Sequence, residues 1–172
     1  MKKYLAVSNA GPLIHLSKVS LLFLLRKLYG KVAVPLEVKV EVVDKGKEKG
    51  FLDAYIVEEA IGNWIEIVRV EIPSRLAEIS EGIGLKKAEA KVIYFAFKNN
   101  ITALLDDLPA RDLARRLGVK VRGSLGVIVE SLKNGFISKK EALKAVDDLS
   151  DIMYLSVDVY RLVKREIENF RF

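Results

Sequence analysis

Four acidic side chains in this chain of 172 residues stand where acids are costly. Glu41 lies three residues after Val38 and one before Val42, so on a helix it shares or borders the face those valines bury. Glu89 precedes Val92 and Ile93 by three and four residues, in line with an apolar stripe, and Asp106 and Asp107 directly follow an apolar run. A buried, unpaired carboxylate costs several kcal/mol, so such a group is neutralised, paired or bound to a cation. Hard divalent ions such as Mg²⁺ and Mn²⁺ take oxygen ligands from a few carboxylates and keep several waters. They can activate water and clamp an in-line phosphodiester displacement. Each acid also has a plainer reading: Glu41 and Glu89 as helix-edge charges, and Asp106-Asp107 as a turn or N-cap ahead of Pro109.

The elements that must position these acids alternate in type. Tyr4 to Ser8 is a short apolar run broken by Asn9-Ala10-Gly11-Pro12, which predicts a strand and a turn. Helical spacing over Leu13 to Leu28 predicts one helix ended by Gly30. Lys31 to Val34 is a second strand, and Pro35 opens a helix carrying Val38, Glu41 and Val42. Residues 44–50, DKGKEKG, read as a charged loop, and Phe51 to Ile61 as a helix. Ile65 to Ile72 alternates apolar and charged residues as a half-exposed strand ended by Pro73. A helix over Leu85 to Asn99 carries Glu89, and Ile101 to Leu105 is a strand covered on both faces.

Pro109 to Leu117 is a helix, Val119 to Val121 a short strand, and Leu125 to Lys133 a further helix. Ser138 with Glu141 forms a capping box, and an amphipathic helix near residues 157–170 ends the chain. Strands and helices in this order predict a single α/β domain over 1–172, three-layer α/β/α with a mainly parallel central sheet. Ligands of such sheets sit at the carboxyl ends of strands, which selects Asn9 and Asp106-Asp107.

Composition narrows the chemistry. There is no cysteine, hence no disulfide, thiolate metal site or cysteine nucleophile. No apolar leader or uncharged span of membrane length is present, so the expectation is a cytoplasmic protein without a membrane partner. The 29 basic and 23 acidic residues give +6, the sign expected of a partner for a polyanion. His15, the one histidine, sits between Ile14 and Leu16 and reads as a partly buried structural residue, which leaves a Ser-His scheme no base. Gly82-Ile83-Gly84 lacks the third glycine of a dinucleotide fingerprint and the Gly-Lys-Ser/Thr of a P-loop. Trp64 and the phenylalanines read as core. Arg111, Arg115, Arg116 and Lys120 form a basic stretch beside the acids, candidate RNA phosphate contacts.

Taken together, VSNAGPLIHLSKV (7–19), VPLEVKVEV (34–42), AEAKVIYFA (88–96), LLDDLPAR (104–111) and GSLGVIVESLKNGFIS (123–138) resemble the PIN-domain superfamily, within it the stand-alone proteins often paired with small antitoxins. The resemblance implies a PIN fold, Mg²⁺- or Mn²⁺-dependent endoribonuclease activity on RNA, and the toxin role of a toxin–antitoxin pair. By position, the family's first aspartate falls on Asn9, its second acid on Glu41, its third on Glu89 and its last on Asp106 or Asp107. Ser124 falls where the family often places a hydroxyl near the site. Asn9 is a departure: its amide oxygen can coordinate Mg²⁺ but brings no charge. The alternative expectation is therefore a weak or inactive PIN domain that binds RNA or an antitoxin. The stripe Val159, Leu162, Val163 and Ile167 on the last helix predicts docking on its own domain or on a second copy in a homo-oligomer.

Overall fold

A computed structural model describes all 172 residues. β1 (Ala6–Ser8) is buried throughout and leads at once into α1 (Ala10–Lys18). The single helix expected over Leu13 to Leu28 is two: α1 stops, and α2 (Phe23–Tyr29) follows. Ser20 turns left-handed at φ 61°, and the Leu21 amide donates to the Leu16 carbonyl at 2.8 Å, the wide closure that ends a helix. The apolar spacing continues through the break, which is why periodicity alone does not reveal it.

β2 (Val32–Pro35) runs into a helical stretch longer than expected: α3 (Leu36–Lys39), a π-helical turn (Val40–Asp44) and α4 (Lys45–Glu48). Residues 44–48 are thus helical, which corrects the loop expected at 44–50. Gly46 serves packing: a Cβ there would lie 2.8 Å from the Ala54 Cβ of α5 (Leu52–Ala60). Only Gly50, at φ 73°, makes the turn. Glu41 sits in the π-helical turn, where the extra residue per turn rotates a side chain off the regular helical face.

β3 (Ile65–Val68) is shorter than the expected strand because its partner stops. Val68 pairs with Pro35, beyond which β2 becomes helix. α6 (Ser74–Gly82) and α7 (Lys87–Asn99) precede β4 (Thr102–Leu104), whose residues are all buried. α8 (Leu108–Arg116), β5 (Val121–Arg122), α9 (Ser124–Lys133), α10 (Lys139–Ile152) and α11 (Val157–Asn169) complete the chain. The capping box expected at Ser138 and Glu141 is formed.

The five strands make one all-parallel sheet in the order β3-β2-β1-β4-β5. Helices cover both faces, α6, α7 and α8 packing together and α1, α2, α5 and α9 to α11 together, which is the α/β architecture expected. Aliphatic side chains fill the layers between. Leu13, Ile93, Leu104 and Ile128 are fully buried, as Trp64 nearly is.

The phenylalanines divide, where all were expected in the core: Phe95, Phe136 and Phe170 are partly buried against it, whereas Phe23, Phe51, Phe97 and Phe172 are exposed. Lys27 lies over the Phe23 ring and Lys18 over Phe51, a contact suited to an exposed aromatic. Ile167 is fully buried where α11 meets α9 and α10, whereas Val159 and Leu162 stay exposed. The last helix therefore docks on its own domain with half its stripe. No helix is long and apolar enough to cross a membrane.

Candidate functional site

The chain leaves β1 toward β2 and β3 on one side, and the later strands β4 and β5 add on the other. β1 and β4 are therefore neighbours whose connections diverge, the switch point where a crevice opens past the strand ends. Ser8 pairs with Leu104, and the Asn9 amide donates to the Leu104 carbonyl at 3.0 Å. This pairing sets Asn9 beside the segment that leads into Asp106. An open cleft of about 850 Å³ lies there, and Asn9, His15, Glu41, Glu89, Asp106 and Asp107 all line it, with Lys86, Arg111 and Arg115. The fold thus brings all five expected oxygen donors, up to 98 positions apart in the chain, to one cleft.

Asp106 is held on three sides. Its Oδ1 accepts from the Ser124 amide at 2.6 Å, and its Oδ2 accepts from the Ser124 hydroxyl at 2.6 Å. His15 Nδ1 lies 2.7 Å from the same Oδ2, a donor in the tautomer that carries hydrogen there. Ser124 is fully buried, so its hydroxyl has little use other than this bond. Bare backbone admits the arrangement: a Cβ on Gly11 would lie 3.3 Å from the Asp106 Cβ, and one on Gly123 would lie 2.9 Å from Oδ1. His15 is partly buried, as expected, and lines the cleft. Its contact with Asp106, however, spans 91 residues and left no local signal.

Asp107 and Glu89 are each engaged by a helix start. The Asp107 side chain accepts from the Ala110 amide at 3.1 Å as the N-cap of α8. Glu89 Oε2 accepts from the Lys86 amide at 2.8 Å in the first turn of α7. Burial pushes the Glu89 carboxyl above the ordinary carboxylate range; the Lys86 amide pulls it down, and the negative charges of Asp107 and Glu41 push it up. Glu41 stays half open, with Lys86 Nζ 3.5 Å from its Oε1.

These donors are all oxygens, the set that suits a hard divalent ion, and the repulsion felt by Glu89 is what such an ion relieves. No three acidic or histidine side chains stand close enough together to grip an ion directly. An ion such as Mg²⁺, which is bound through one or two carboxylates and keeps several waters, does not require such a group. Of the basic stretch, Arg111 and Arg115 line the cleft, whereas Arg116 and Lys120 are exposed outside it.

A family model described as a PIN domain matches residues 5–169. Among solved structures, the chain is similar to a PilT N-terminus domain protein from the hyperthermophilic archaeon Sulfolobus solfataricus. That pair shares 16% identity and a TM-score of 0.51, over 74% of this chain and 92% of the other. A protein from Pyrobaculum aerophilum is 15% identical with a TM-score of 0.46, over 66% of this chain and 88% of its own. At such identity the first likeness speaks for the fold alone. No curated protein matches the chain.

Proposed function

Because the chain belongs to the PIN-domain family, a nuclease-like group that generally uses divalent metal, we propose that it is a Mg²⁺- or Mn²⁺-dependent endoribonuclease and the toxin-like member of a toxin–antitoxin pair. One observation carries the reading: Asn9, Glu41, Glu89, Asp106 and Asp107 line a single cleft at the switch point of the sheet. In this reading Glu41, Glu89 and Asp107, with the Asn9 amide oxygen, hold the ion. The ion supplies Lewis acidity and a water of lowered pKa for phosphodiester hydrolysis. Asp106, already tied to Ser124 and His15, keeps the ends of α1 and α9 in register with β4 and offers its remaining lone pair to the cleft. The +6 charge draws the RNA. A small antitoxin is the proposed regulatory partner, and the exposed Val159 and Leu162 of α11 support a homo-oligomer.

Asn9 favours a second reading, a PIN domain that binds RNA or an antitoxin without cutting, because it leaves the cleft one negative charge short of the family pattern. The test of the first reading is RNA cleavage in Mn²⁺ by the wild type and by a Glu89→Gln, Asp107→Asn double variant. Loss in the variant and in EDTA is expected. Equal residual activity in both proteins assigns the cleavage to a contaminant. Salt-sensitive, metal-independent RNA binding without cleavage selects the second reading.

A further inference from the structure

Arg111 is a cation in the acidic cleft that no protein anion satisfies. It rises from the second turn of α8 and lines the cleft beside Asp106. Its Nε is buried and has no hydrogen-bond partner, and its guanidinium enters no ion pair within 4 Å, the distance at which Arg115 meets Asp112 (3.6 Å) and Arg122 meets Glu130 (3.0 Å). Asp106 and Asp112 attract it, but Ser124 and His15 hold three of the Asp106 acceptor positions and neither acid forms a hydrogen bond with Arg111. Room has nonetheless been kept for the side chain: a Cβ on Gly123 would lie 2.8 Å from Arg111 Nη1. Burying a guanidinium donor without an acceptor is costly, and the two terminal nitrogens, engaged by no protein acceptor, form the planar fork that fits an anion with two oxygens in one plane.

On the reading that this cleft takes RNA, we propose that Arg111 is the group that receives the scissile phosphodiester, its fork on the two non-bridging oxygens. That makes Arg111 a catalytic residue rather than one of several diffuse backbone contacts. A phosphodiester is favoured over a partner's carboxylate because the chain carries +6 and the cleft is built to collect divalent cations, which phosphate oxygens share and bridge. Charge also accumulates on those oxygens during in-line displacement, where a preplaced donor acts most strongly. Lysine cannot reproduce the fork.

The experiment compares full-length wild type, Arg111→Ala, Arg111→Lys and, as a control on an exposed lysine outside the cleft, Lys140→Ala. A fluorescent 12-nucleotide single-stranded RNA is titrated in EDTA over a range of KCl, cleavage is followed in Mn²⁺, and melting temperatures are recorded. Arg111→Ala is expected to lower kcat by about 10²-fold or more and to reduce the salt slope of binding by about 1. It should melt no lower than wild type, since an unpartnered buried donor is removed. Arg111→Lys should recover less than a tenth of the lost rate, and Lys140→Ala should match wild type.

Full recovery by lysine, or an Arg111→Ala variant that matches wild type in both slope and rate, overturns the proposal. So does a lost rate that returns on cooling with a lowered melting temperature, the mark of a structural role. Poly-glutamate that displaces the RNA as well at equal charge overturns the phosphate assignment. If the wild type cuts nothing in Mn²⁺, the nuclease reading fails. The EDTA titration still decides Arg111, an unchanged affinity and slope in Arg111→Ala overturning it and a loss of both supporting its phosphate contact.

Discussion

Replacing Ser124 by Ala tests whether Asp106 is pinned as the geometry requires. Ser124 is fully buried, and its hydroxyl donates to Asp106 Oδ2 at 2.6 Å, while its amide separately serves Oδ1. The substitution removes the first bond and leaves the second intact. A hydrogen bond to a charged acceptor contributes about 1.5–3 kcal/mol. Because Oδ2 keeps His15 at 2.7 Å, the lower part of that range applies, about 1.5–2 kcal/mol. For a domain of this size, 1 kcal/mol moves the melting temperature by roughly 2–4 °C, so Ser124→Ala should melt about 3–8 °C lower.

The assay is calorimetry in EDTA on Ser124→Ala, Asp106→Ala and the double variant, which together form a cycle. If the bond exists, the two losses are non-additive, with a coupling of about 1 kcal/mol or more. Additivity within roughly 0.5 kcal/mol refutes the pinning and returns Asp106 to the set of open ligands. The same cycle with His15→Ala in place of Ser124→Ala should also couple, through the same oxygen.

Three further outcomes are expected. A carboxyl whose folded pKa is raised, as burial does to Glu89, binds its proton more tightly in the fold, so it subtracts stability as pH rises from the ordinary value of 4.5 through the raised one. In EDTA, Glu89→Gln should therefore melt higher than wild type at pH 7–8, with the gain fading toward pH 4 and Mn²⁺ stabilising the wild type more than the variant. A Gln variant that melts lower at pH 7–8 contradicts this. Asn9→Asp adds a fifth negative group to the cleft that Asn9 lines; it should melt lower in EDTA yet bind Mn²⁺ roughly tenfold more tightly by calorimetry, because affinity follows ligand charge. Gly46→Ala sets a methyl 2.8 Å from the buried Ala54 Cβ, and overpacking of that kind should cost about 1–3 kcal/mol in denaturant unfolding.

Much of the fold was legible in the sequence because its strands are short apolar runs stopped by Asn9, Pro35 and Asp106, and strand–helix alternation fixes a parallel sheet. What escaped reading depends on neighbours distant along the chain. Gly46 reads as a turn residue by composition, and only the closeness of Ala54 accounts for a glycine inside a helix. The strand after Ile65 has the right alternation as far as Ile72, yet it ends at Val68 because β2 has no more backbone to offer. Ser20 breaks a helix whose apolar spacing runs on unbroken.

The site divides in the same way. Its location followed from strand ends, since β1 and β4 had only to be adjacent for Asn9 and Asp106 to meet. The division of labour between the two aspartates did not follow. As neighbours in sequence they are equivalent acids, and Asp106 differs because Ser124, 18 residues on, and His15, 91 residues back, converge on its carboxylate. That leaves Asp107 exposed and held by a single helix-capping bond, so it can turn toward an ion at the expense of one amide contact. On the proposed function, Asp106 is the rigid acid that shapes the cleft and Asp107 the labile one that can follow an ion. Each of the two adjacent carboxylates thus has its own partners, Asp106 at Ser124 and His15 and Asp107 at the start of α8, which is why the strand end tolerates both.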